Sequence, residues 1–144
     1  MSEEDQLLTG CLYFTASRFA RTITKLAERT FDSDDLAPTY LYLLTIIHFH
    51  PGSTQKELCH KLSIAPSTST RFINKLEKQK LVTRAQRGKE TSITLTEAGE
   101  EVYIRFRQSL SVLFDRYSAQ LGRTFSADLS KKLHEASTKL EQID

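Results

Sequence analysis

Residues 54–96 read TQKELCHKLSIAPSTSTRFINKLEKQKLVTRAQRGKETSITLT, and the fold turns on this stretch. It predicts a helix, a tight turn, a second helix and a two-stranded hairpin. Thr54 with Glu57 three residues on has the spacing of a capping box: the hydroxyl accepts from the third N–H, and the carboxylate folds back on the Thr54 N–H. Leu58 and Leu62 then fall on one helical face, with Cys59 beside them as a small buried hydrophobe. Ser63-Ile64-Ala65 is just long enough to turn the chain. Pro66 suits the first turn of the second helix, where its missing N–H is not needed.

The second helix has two unlike sides. Ser69, Phe72, Ile73 and Leu76 recur at helical spacing and predict the buried face. The opposite side carries Ser67, Thr68, Thr70, Arg71, Asn74, Lys75 and Lys78, with no acid among them. Small hydroxyl residues let a backbone approach a groove floor, and Arg and Asn can pair bidentately with guanine and adenine edges. A solvated surface face has a similar composition. The position directly after a short turn favours a DNA-reading helix.

After Leu81 the period changes from helical to alternating. Val82-Thr83-Arg84-Ala85 predicts one strand. In the second, Ile93 and Leu95 point one way and Ser92, Thr94 and Thr96 the other. Residues 86–90, QRGKE, form the link, with a glycine for the turn and Arg87 and Lys89 near its tip. A basic hairpin beside a reading helix can reach phosphates or the adjacent minor groove. Arg84, Arg87 and Lys89 therefore join the candidate DNA-contacting set.

Charge distribution supports the same reading. The chain of 144 residues has a net charge of +2. Residues 54–96 hold nine Lys/Arg against three Asp/Glu, or +6; residues 1–53 hold four against seven, and residues 97–144 seven against eight. The positive charge lies where the groove-reading geometry lies, which implies a polyanionic partner such as double-stranded DNA. The length fits a single domain over 1–144. There is no apolar run of membrane-spanning length and no signal peptide pattern, and only Cys11 and Cys59 are present. The expectation is a protein of the reducing cytoplasm, without a disulfide framework or a membrane partner.

Outside the central stretch the chain predicts long amphipathic helices. Residues 6–31 carry a stripe of Leu8, Leu12, Phe19, Ile23 and Leu26, opposite Arg18, Arg21, Lys25 and Arg29. FDSDDLAP (31–38) is turn-rich, with Pro38 opening a helix over 38–49 that is apolar almost all round. Thr96 can cap the next helix, with Glu97, Glu100 and Glu101 near its positive end. Its stripe runs through Val102, Phe106, Leu110, Leu113, Tyr117 and Leu121 to Gly122, a length of about 36 Å. Ser126 is expected to cap a last helix with Leu129, Leu133, Ala136, Leu140 and Ile143 on one face. A head of 43 residues cannot cover three such stripes. They are expected to interleave with those of a second copy in a homodimer, the competing arrangement being an intramolecular bundle.

At this point HPGSTQKELCHKL (50–62), TSTRFINKLEKQKLVTR (68–84), SITLTEAG (92–99) and LAPTYLYLL (36–44) resemble the multiple antibiotic resistance regulator (MarR) family. The resemblance covers nearly the whole chain. It implies a mainly α fold with a small β-wing: a winged helix-turn-helix over 36–96, flanked by dimerisation helices over 1–35 and 97–144. It also implies a ligand-responsive repressor that binds a pseudo-palindromic operator as a homodimer. By position, Ser67, Thr68, Thr70, Arg71 and Lys75 would touch DNA. Two departures stand out. The family commonly has glycine where this chain has Lys80, and its wing usually carries an Asp-x-Arg motif that RAQRGKETSI (84–93) lacks.

The family's effectors are usually small aromatic or phenolic compounds. Phe14, Arg18, Tyr40, Tyr42 and His48 are candidates for such a cleft, although buried aromatics ordinarily serve packing. Cys11, in DQLLTGCLYFTASR (5–18), resembles the start of a peroxide-sensing branch and is the candidate redox residue. A winged-helix protein-interaction module is the contrasting class. His48 and His50, or Cys59 and His60, lack the i, i+4 spacing that aims two ligands at one ion, so no metal is expected. With no phosphate-binding glycine loop, serine elbow or carboxylate constellation, neither cofactor nor catalysis is expected.

Overall fold

The structure is a computed structural model that describes residues 1–31 and 36–143. Its elements are α1 (Glu3–Gly10), α2 (Leu12–Thr30), α3 (Pro38–Phe49), β1 (Ser53–Thr54), α4 (Gln55–Leu62), α5 (Pro66–Lys78), β2 (Val82–Arg87), β3 (Glu90–Leu95), α6 (Glu97–Leu121) and α7 (Arg123–Leu140). This is a winged helix-turn-helix with long helices before and after it.

The core forms where α3 meets α4, α6 and β3. Leu41, Leu43, Leu44 and Ile47 of α3 are buried together with Leu58, Ile73, Leu76, Ile93 and Phe106. The Phe106 ring receives Phe31 and Tyr42 edge-on, each with its centroid 5.2 Å away. The local signals operate as the sequence predicts. Thr54 accepts from the Glu57 N–H at 3.2 Å and its own N–H reaches the Glu57 carboxylate at 3.4 Å. Pro66 and Pro38 each open a helix, and Thr96 accepts from the Gly99 N–H at 3.1 Å.

The sheet is antiparallel in the order β1-β3-β2. Its third strand was not expected: Ser53 and Thr54 pair with Ile93 and Ser92. This pairing ties the entry of the helix-turn-helix to the wing. The expected five-residue link is also shorter, because Arg87 pairs with Glu90 and only Gly88 and Lys89 turn the chain. Gly88 has φ 62°, as the first central residue of a type II′ turn requires. Ser92, expected to face outward, is buried, and its hydroxyl donates to the Ala85 carbonyl at 3.2 Å.

Two helix boundaries differ from expectation. The single helix over 6–31 is broken at Cys11, which is extended at φ −92° and ψ 116°. The break follows Gly10, a poor helix residue because it has the most backbone freedom to lose. α1 instead starts early, on a capping box between Ser2 and Asp5. Ser126 does not cap α7. The helix begins at Arg123, and Ser126 lies inside it, its hydroxyl donating to the Gly122 carbonyl at 2.7 Å. Gly122, at φ 90°, makes the corner directly. The turn expected over 31–38 falls largely on residues 32–35, outside the described residues.

Candidate nucleic-acid interface

α5 turns Ser69, Ile73 and Leu76 into the core. This leaves Ser67, Thr70, Arg71, Asn74 and Lys78 exposed and Thr68 and Lys75 half-buried, so the two sides divide as the sequence predicts. The face is nevertheless braced by groups that its own composition does not show. Gln55, the first residue of α4, donates to the Thr70 hydroxyl, which in turn donates to the Pro66 carbonyl at 3.0 Å. The α4–α5 angle is thereby held by a side-chain bridge across the turn. No spacing rule announces Gln55, since its partner lies fifteen residues away.

Lys75 places its ammonium 4.9 Å from the centre of the Tyr40 ring, and Tyr40 packs against Phe72 at 4.5 Å. Arg71 lies along the Phe72 ring at 5.6 Å. Stacking on aromatic faces restricts where the two cations can point. Tyr40, expected in an effector cleft, is therefore part of the support of α5. An acid also stands at the edge of the face: Glu77 lies 3.9 Å from the Arg84 guanidinium. Arg84, on β2, donates to the side-chain carbonyl of Asn74, linking wing and helix.

At the wing tip Arg87 and Lys89 are exposed. Gln86 braces the turn between them, donating to the Gly88 carbonyl at 2.9 Å and accepting from the Thr91 hydroxyl at 3.0 Å. The Asn74–Arg84 bond joins α5 to the strand that leads to the wing tip, in the segment that carries the +6 charge.

The proposed effector residues are not brought together. A cavity of about 450 Å³ lies between α2, α3, α6 and α7, and of the five candidates only Tyr42 lines it. Its walls include Phe19, Ile23, Leu113, Tyr117 and Leu133, with no charged side chain among the described residues. Burial, and then the neighbouring Tyr117 phenol, push the Tyr42 hydroxyl above its ordinary range. His48 instead joins α3 to α6: its Nδ1 lies 2.7 Å from the Glu100 carboxylate, and its ring stacks on Tyr103 at 3.9 Å. Phe14 is half-buried and Arg18 exposed on α2, both away from the cavity lining. Cys11 is exposed at the α1–α2 break and Cys59 is buried. Among the described residues no group of His, Cys, Asp or Glu could hold a metal ion. No described helix is long and apolar enough to cross a membrane.

A family model described as the MarR family matches residues 36–89, from the start of α3 to the wing tip. Over this segment the chain resembles the MarR family. It is 24% identical over 141 residues to the HTH-type transcriptional regulator YwhA of Bacillus subtilis (strain 168), a match that covers 90% of this chain and 97% of YwhA. Among solved structures it is similar to the transcriptional repressor CouR bound to p-coumaroyl-CoA, with TM-score 0.85 and 20% identity over 91% of this chain and 94% of CouR. It is also similar to the Staphylococcus aureus MepR–DNA complex, with TM-score 0.78 and 18% identity over 90% and 98% of the two chains. Each of these similar proteins is named as a transcriptional regulator or repressor, or as a complex with DNA.

Proposed function

We propose that this chain is a DNA-binding transcriptional regulator of the MarR type and acts as a homodimeric repressor. In this reading the exposed side of α5 lies in the major groove and the wing tip lies against the adjoining backbone. The observation that carries it is the outward side of α5, with Ser67, Arg71 and Asn74 exposed and Lys75 half-buried, tied through Asn74 to Arg84 of the wing that bears Arg87 and Lys89, in a segment of +6 charge set between acidic flanks. Ser67, Thr68 and Thr70 let the helix sit close, Arg71 and Asn74 reach base edges, and Lys75 and the wing cations meet phosphates.

The terminal helices support the dimer. α7 is 18 residues long, and Ser126 is its one buried residue among those described. Helices in proteins draw most of their stability from packing of an amphipathic face rather than from propensity. Leu12, Phe125, Leu140 and Ile143 are exposed, Ile143 by 73%. A second copy covering these side chains would stabilise the pair by about 25 cal/mol per Å² of apolar surface removed from water. Two-fold pairing sets two reading helices about 34–36 Å apart, one turn of DNA, and so matches a pseudo-palindromic operator. A small effector in the cavity between α3 and the terminal helices then acts by favouring a different spacing, which releases the DNA. The place of work is the cytoplasm, with the DNA.

The test is a salt series on operator fragments selected from random DNA. Affinity should fall steeply as salt rises, and Arg71→Ala should weaken binding and flatten that dependence. An Arg71→Ala dimer that holds operator DNA unchanged removes α5 from the interface.

A further inference from the structure

We propose that the cavity between α2, α3, α6 and α7 takes a neutral, mainly apolar small molecule carrying a hydrogen-bond acceptor, and that it discriminates against carboxylates. This deepens the effector part of the proposed function and rests on it.

The cavity's volume of about 450 Å³ lies within the range of small-molecule sites, roughly 300–1,000 Å³. Phe19, Ile23, Leu113 and Leu133 give it apolar walls. Among the described residues its polar side chains are hydroxyls alone, with no lysine, arginine or histidine in the lining. The two cationic candidates suggested by the sequence are placed elsewhere. His48 is engaged with Glu100 on the α3–α6 joint, and Arg18 is exposed on α2 outside the lining. A carboxylate entering this cavity would lose hydration and gain no opposite charge, whereas an ester or amide of the same shape gives up far less.

Tyr42 and Tyr117 supply the orienting groups. They come from different helices, α3 and α6, and both line the cavity. Burial, and then the neighbouring Tyr117 phenol, disfavour a charge on the Tyr42 hydroxyl, so Tyr42 remains a donor. Ser126, by contrast, already spends its proton on the Gly122 carbonyl. Two phenol hydroxyls among apolar walls suit a carbonyl oxygen on an aromatic or aliphatic body.

The experiment is calorimetric titration of the full-length protein, without DNA, using matched probes at pH 7: methyl 4-hydroxybenzoate, 4-hydroxybenzoate and toluene. The ester should bind at least about tenfold more tightly than the carboxylate. Tyr42→Phe keeps the ring that packs on Phe106 and removes only the hydroxyl. It should weaken the ester about threefold to tenfold and leave toluene unchanged. Ser130→Arg puts a cation at an exposed point of the lining and should reverse the preference toward the carboxylate. Equal or tighter binding of the carboxylate by the native protein overturns the proposal. So does failure of all three probes to bind, the result expected if side chains of a second copy fill the space. Operator binding is measured separately and can stand under either result, so the two failures are distinguishable.

Discussion

The guanidinium of Arg84, on the first strand of the wing, donates to the side-chain carbonyl of Asn74 on α5. That bond takes up one of the two lone pairs of the oxygen, while both amide N–H groups stay able to donate. Bidentate reading of adenine needs both a donor and an acceptor, so Arg84 biases Asn74 toward acceptor edges. The contact also makes wing and helix one unit. In a double-mutant cycle on operator affinity, Asn74→Ala and Arg84→Ala should be non-additive, with a coupling energy of about 0.5–3 kcal/mol. Fluorescence anisotropy on a labelled operator measures it. Additive losses would mean that each residue meets DNA independently.

Gly99, in the first turn of α6, sits against the chain that leaves α5. A Cβ there would stand 2.1 Å from the Leu81 carbonyl oxygen. That oxygen cannot withdraw freely, because it accepts from the Thr96 N–H at 3.0 Å. Gly99→Ala should therefore lower stability by about 3 kcal/mol or more, at the upper end of overpacking effects. Urea unfolding should show a lower midpoint at unchanged slope. A loss below about 1 kcal/mol would show that the α5–α6 joint opens easily.

The parts of the fold that the sequence discloses are those set by short-range rules. The Thr54–Glu57 capping box, the two opening prolines, the buried side of α5 and the span of α6 follow from short spacings, so the residues carry them unaided. What the sequence hides depends on long-range placement. The two-residue strand β1 exists only because β3 is beside it. Gln55 matters only because the turn brings Thr70 to it. Tyr40 and His48 were reasonable candidates for an effector cleft as aromatic residues. Their actual partners, Lys75 and Glu100, come from α5 and α6, and no local pattern pairs them. Ser126 shows the converse: a serine in cap-like context became an interior residue once Gly122 turned the corner four residues earlier.

Lys80 occupies the left-handed region, at φ 64°, where α5 gives way to the wing. A side chain there costs about 1–2 kcal/mol relative to glycine, part of which glycine returns through its freer unfolded chain. The backbone geometry is enforced from both sides: the Lys80 N–H donates to Glu77 at 2.9 Å and its carbonyl accepts from the Thr96 hydroxyl at 2.7 Å. Lys80→Gly should raise stability by about 0.5–1 kcal/mol, read as a higher urea midpoint. A drop in stability would mean that the lysine side chain makes a contact worth more than the strain.

Leu140 closes α7 with 57% of its surface exposed in the single chain. On a free surface, replacing it by aspartate changes stability by less than about 0.5 kcal/mol. In a two-fold interface the same change buries two unpaired carboxylates, one from each copy, and each is expensive to desolvate. Leu140→Asp should thus shift sedimentation from twice 16.5 kDa to 16.5 kDa while the helical content of each chain falls modestly. Operator affinity should fall with it, because two half-sites would no longer be held by one particle. A native protein that already sediments at 16.5 kDa, or a variant that stays paired, would take α7 out of the proposed interface.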